Sequence, residues 1–196
     1  LLCAPLALLC ALPAALPAEA VERLPPPGSR PDAGLLAQVR SEIPAEVQGW
    51  FEAAKAASAK GDSAEALRLQ KQVMVWVQAN RPALDGFRAR ALINLGQFLS
   101  EVGQKQEAQA PTEEAIRILR QLEGSQPEAR RFMAKALNKL GKLLGDLGRP
   151  QEALAPAEEA VKIFRELAKS NPAFLDPLAS SLNHLGNVLS NLGRPQ

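Results

Sequence analysis

Tyrosine is missing from this 196-residue chain, and aromatic residues of all kinds make up only 4% of it. A core must then be built from Leu, Ala, Val and Ile, a mixture that favours helices over sheets. The 46% hydrophobic content supplies it. Cysteine is nearly missing too: Cys3 and Cys10 both lie in the first ten residues. The thiol-free remainder excludes thiol catalysis, structural disulfides and Cys-ligated metal. Charge is close to balance, 23 basic against 21 acidic residues, with no Lys/Arg-rich block. The electrostatic footprint of a nucleic-acid binder is absent. His184 is the single histidine, and no Gly-rich phosphate loop, metal-ligand spacing or nucleophile–base pair occurs. The chain therefore reads as a non-enzyme with no cofactor, no metal and no catalytic residue.

What the chain does have is repetition. Ala-Leu-Ile-Asn-Leu-Gly (residues 91–96) returns as Ala-Leu-Asn-Lys-Leu-Gly (136–141) and as Ser-Leu-Asn-His-Leu-Gly (181–186). Gly96, Gly141 and Gly186 are 45 residues apart, as are Gly103, Gly148 and Gly193. A fixed period in this range means stacked supersecondary units. Within each unit the apolar residues Leu92, Leu95, Leu99 and Val102 step by three, four and three, a stripe on one helix face. Leu137, Leu140, Leu144 and Leu147 repeat it, and Leu182, Leu185, Leu189 and Leu192 repeat it again. Gly103, Gly148 and Gly193 suit the left-handed residue just past a helix end, and Pro150 and Pro195 the first turn of the next helix. The mid-helix glycines imply a neighbour too close for a β-carbon, with Ala108, Ala115, Ala153 and Ala160 as the facing small surface. No single pair buries all of this, so the pairs must stack.

Taken in order, residues 1–20 are apolar, free of Lys and Arg, and end in Ala18-Glu19-Ala20. They are expected to be a signal peptide lacking its basic start. The alternative is a mere apolar leader. The protein is thus exported to a periplasmic or extracellular space if 1–20 is a signal, and cytoplasmic otherwise. Residues 21–44 are a Pro-rich linker and a short helix over 35–43, ended by Pro44. Residues 45–84 hold a degenerate first copy, in which Glu65-Ala66 aligns with Glu107-Ala108 and Glu152-Ala153. The second copy spans 85–126 with helices near 85–102 and 105–123. The third spans 127–171 with helices near 127–147 and 150–170. Residues 172–196 supply the first helix of a fourth. The sequence reads as a fragment open at both ends.

The order Leu-x-x-Leu-Gly-x-x-Leu, then Gly, then Glu-Ala, then Ala seven residues on, resembles the tetratricopeptide repeat over about 45–196. The usual unit has about 34 residues. The eleven added here are close to three helical turns, so faces stay in register. Such long copies resemble the kinesin-light-chain type and long bacterial arrays. HEAT-like repeats share the length but not these landmarks. The resemblance implies an all-α fold, a right-handed α-solenoid of antiparallel helix pairs with three full repeats plus one helix. It implies a protein–protein interaction scaffold holding a peptide in a concave groove of first helices. By register that groove takes Arg90, Asn94 and Gln97 from one helix. The next gives Lys135, Asn138, Lys139 and Lys142, and the last Asn183, His184 and Asn187. Lys135, Lys139 and Lys142 share a helical face and favour an acidic segment or a C-terminal carboxylate. The alternative is a solvated face that keeps the stack soluble. A carboxylate clamp of the family's kind is matched at Asn94, Lys135 and Lys139, but the first copy departs from it with Phe51 and Lys55. A second reading makes the chain the recognition arm of a larger enzyme, such as a caspase-like (CHAT) peptidase or a signalling ATPase. The open last repeat also offers a surface for self-association.

Overall fold

The computed structural model describes residues 43–79 and 85–193. The expected signal, nearly all of the linker segment and Pro195 lie outside the described residues. Seven α-helices follow one another: α1 (Ala45–Ala59), α2 (Ser63–Ala79), α3 (Asp85–Glu101), α4 (Lys105–Leu122), α5 (Ala129–Asp146), α6 (Pro150–Ser170) and α7 (Leu175–Asn191). Among the described residues there is no strand. Each helix packs on the next in sequence, and the first helices α1, α3, α5 and α7 also touch one another in turn. The result is the expected all-α solenoid of antiparallel pairs.

Glycine makes the tight turns within the pairs. Gly61, Gly103, Gly148 and Gly193 have φ of 83°, 87°, 73° and 68°. Only a residue without Cβ adopts this freely. After α3 the Gln104 N–H donates to the Leu99 carbonyl (2.8 Å) and the Gly103 N–H to the Ser100 carbonyl (3.1 Å). After α5, Arg149 donates to Leu144 (2.9 Å) and Gly148 to Gly145 (3.0 Å). These bonds satisfy carbonyls that a helix end leaves without partners. Pro150 starts α6, while α4 and α6 run on through Pro111 and Pro156.

Two helix starts fall later than the spacing suggests. The third pair begins at Ala129 instead of 127, because a turn comes first in which the Ala129 N–H donates to Gln126 (2.9 Å). Before α7, Pro172–Phe174 form a 3₁₀ turn. The Asn171 side chain accepts from the Ala173 N–H (2.9 Å) and fixes that turn.

The core runs between layers. Ala89, Leu92, Ile116, Leu119, Met133, Leu137, Leu140, Leu144, Ile163, Phe164 and Val188 belong to one buried cluster spanning α3 to α7. Trp76, buried against Phe51, Val73 and Ala91, anchors the first pair. Phe87 meets its ring edge-on at 6.5 Å.

The seam within a pair is closest at Gly96. A Cβ there would overlap the Thr112 hydroxyl and stand 3.1 Å from the Ala108 carbonyl oxygen. The Thr112 hydroxyl cannot swing away cheaply, since it is buried and donates to that same carbonyl (2.8 Å). At Gly141 the crowding has a different origin. The nearest neighbour of a Cβ would be the His184 ring of the next layer, at 2.8 Å, with the Ala153 carbonyl of the hairpin partner at 3.5 Å. Gly96→Ala is therefore expected to lower the melting temperature. An overpacking cost of about 1–3 kcal/mol outweighs the roughly 1 kcal/mol gained in helix propensity. Adding Thr112→Ala should recover most of the loss, and equal melting of Gly96→Ala and wild type would show that the seam has slack.

Candidate functional site

Because the first helices touch in sequence, equivalent positions on them form columns 45 residues apart. One column is Asn94, Lys139 and His184; a second is Gln97, Lys142 and Asn187; a third is Arg90, Lys135 and Ser180. Between α3 and α5 the first two columns join. Lys139 Nζ donates to Gln97 Oε1 (2.6 Å), and Gln97 Nε2 donates to Glu101 Oε1 (2.7 Å). Glu101 also accepts from Ser58 of α1 (2.9 Å) and Ser63 of α2 (3.2 Å). One polar chain thus crosses four helices. A layer further on, His184, Lys142 and Asp146 hold the corresponding places. Asp146 is shared with Lys105 of α4, 3.5 Å away.

The rest of the expected residues divide by environment. Lys135, Lys142, Asn183 and Asn187 are exposed. Asn138 is half-buried and donates to the Ser181 hydroxyl (2.5 Å), which donates to the Pro177 carbonyl (2.8 Å). Among the described residues, its own carbonyl oxygen and the Asn94 amide nitrogen are buried with no hydrogen-bond partner. The Arg90 guanidinium lies 5.3 Å from the ring centres of both Phe51 and Phe132, stacked between α1 and α5. In the first copy, Phe51 is buried beneath Arg90, and Lys55 pairs with Glu52 (2.7 Å).

Sequence reasoning missed Arg131, whose guanidinium sits 4.7 Å from the Phe132 ring. The signal was available: Arg131, Lys135, Lys139 and Lys142 step by four, four and three, so all share one face of α5. Burial holds the Lys139 amine below its ordinary pKa, helped by Lys135 and Lys142, while Glu101 pulls the other way. Burial also lowers Lys135, with Arg131 and Arg90 adding repulsion. His184 is lowered by burial and by Lys142, against the opposing pull of Asp146 and the Gly141 backbone.

Elsewhere arginines are matched with carboxylates: Arg68 with Glu65 (2.6 Å), Arg120 with Glu159 (2.6 Å), Arg130 with Glu166 (2.9 Å) and Arg149 with Glu152 (2.5 Å). Among the described residues, Lys135, Lys139 and Lys142 form no ion pair. No helix among the described residues is long and apolar enough to cross a membrane.

Helical hairpins stacked at a constant period define an α-helical repeat protein. The tetratricopeptide-repeat family model matches residues 88–131 and 133–172. No curated protein matches the chain. Among solved structures it is similar to the crystal structure of MamA, with 17% identity over 83% of this chain and 96% of that one (TM-score 0.46). It is also similar to a MamA RS-1 ArsTM double mutant, with 14% identity over 77% of this chain and 97% of that one (TM-score 0.32).

The depressed pKa of Lys139 carries a stability cost with a definite sign. Below the folded pKa both states are protonated, and the folded protein bears the full cost of the half-buried charge. As pH rises through that value towards the ordinary 10.5, the folded state releases its proton first and stability recovers. Lys139→Met, similar in length and uncharged, should therefore match or exceed wild-type stability at pH 7, by up to about 1 kcal/mol. Denaturant titration at pH 7 and pH 10 checks this: the gain should shrink at the higher pH, and a clear loss at pH 7 would make Lys139 a structural residue.

Proposed function

We propose that the chain docks an extended acidic segment of a protein partner, or an acidic C-terminus, along the face built by α3, α5 and α7. The observation that carries this reading is the row of Lys135, Lys139 and Lys142, which shares one face of α5 beside Arg131 and Arg90 and whose half-buried member Lys139 is bonded to the neutral amide of Gln97. Crowding like charges at a half-buried site costs stability, and an acidic guest would relieve it. Gln97, Asn183 and Asn187 flank the same path.

The test uses a dye-labelled octaglutamate peptide and a scrambled neutral control. Wild type should bind the acidic probe and lose affinity steeply with added salt. Lys135→Glu/Lys142→Glu, at two exposed positions, should weaken binding at least tenfold with an unchanged melting temperature. Equal binding of both probes, or no effect of the double reversal, would reduce these lysines to a solvated face.

Self-association is proposed for a different surface. Leu182 of α7 is 43% exposed, whereas its equivalents Leu137 and Leu92 are 2% and 4% exposed under α6 and α4. Leu175 adds to the same open side, at 54%. Light scattering should show concentration-dependent dimers that Leu182→Glu abolishes; a strictly monomeric wild type would refute the idea. Export remains part of this proposal through residues 1–20.

A further inference from the structure

The first-helix column at each layer holds a different proton chemistry. Asn94 is neutral, Lys139 is a cation at ordinary pH, and His184 is a cation only when it takes up a proton. Lys139 has a carboxylate, Glu101, at the end of its polar chain, and that acid answers only to hydroxyls and an amide. The corresponding acid beside His184 is Asp146, and it is already engaged by Lys105. The ring nitrogen Nε2 is buried against Gly141, whose backbone favours the protonated ring.

The charged groups acting on the ring are Lys142 and Asp146, both from α5. Asp176, the other titratable side chain of α7, lies eight residues earlier in the sequence, and the 3₁₀ turn Pro172–Phe174 carries none. With His184 neutral, Lys142 and Asp146 offset each other. One added proton leaves two cations beside a single acid that Lys105 also claims. The α5–α7 end of the face then becomes net positive.

We infer that His184 is a proton-dependent element of this face, and that its protonation strengthens the hold on an acidic segment where α5 meets α7. This rests on the groove reading above. The sign follows from the charges: His184 stays neutral at neutral pH and charges as pH falls, while glutamates of a guest, with ordinary pKa of about 4.3, remain ionised. One new cation next to one guest carboxylate is worth about fivefold in affinity in water.

The experiment uses the full chain, in which a lone histidine gives a single Cε1–H proton signal. The octaglutamate probe is titrated at pH 8 and pH 5.5 into wild type and His184→Gln, and the histidine signal is followed over the same range with and without the probe. Wild type should bind more tightly as the histidine signal shows the ring taking up its proton, reaching about fivefold when it is fully charged, with His184→Gln showing little change. By reciprocity the probe should raise the His184 midpoint. Lys142→Gln should raise it in the free protein as well. An equal pH response in His184→Gln, or a midpoint that neither the probe nor Lys142→Gln moves, overturns the inference and leaves the groove reading standing. Failure of the probe to bind at either pH overturns the groove reading and this inference together.

Discussion

No helix pair in this chain can close its own hydrophobic surface, and that constraint organises everything else. A first helix lays its leucine stripe partly on its own second helix and partly on the next layer. Leu143 of α5 accordingly sits in one cluster with Phe98, Leu99 and Ala108 of the preceding pair. Leu137 and Leu140 share another with Ile116 and Leu119 of α4 and with Ile163 of α6. Burying a leucine is worth roughly 1.5–3 kcal/mol, and here part of that gain crosses a layer boundary. Stability is therefore a property of the stack.

Close approach at the seam is what lets these stripes meet. Gly96 admits the Ala108 backbone and the Thr112 hydroxyl, and small residues at Ala115, Ala153 and Ala160 keep the second helices tight, each fully buried. With the apolar stripes turned into these seams, the remaining side of α3, α5 and α7 is free to carry polar residues without weakening the core. Their packing is one-dimensional, so the same position in each layer meets a similar setting. Change at one register position alters the face without disturbing the seam.

The fold was legible because its determinants are local and repeated. Gly103 and Gly148 mark turns by a conformational need that acts within six residues, and the three-four-three leucine spacing marks a helix face from within one helix. Contacts between layers were less legible. Lys139 reaches Gln97, 42 residues away, and Asn138 reaches Ser181, 43 away. Those pairings depend on how far one hairpin rotates against the next, which a period of 45 does not specify. For the same reason the neighbour of Gly141 turned out to be His184 in addition to the expected hairpin partner. Arg131 is a different case, since its place in the basic row was available from spacing alone.

The unpaired lysines can be weighed against the rest of the surface. Exposed ion pairs such as Arg68–Glu65 or Arg149–Glu152 contribute little to stability, commonly under about 1 kcal/mol. Lys139 is half-buried, crowded by Lys135 and Lys142, and bonded to a neutral amide instead of an acid. A glutamate at position 97 in place of Gln97 would settle its charge directly, and the helix would tolerate it equally well. Leaving the amide there keeps Glu101 one step removed from Lys139. The Gln97 relay thus ties α5 to α3 and leaves Lys139 without a direct counter-charge.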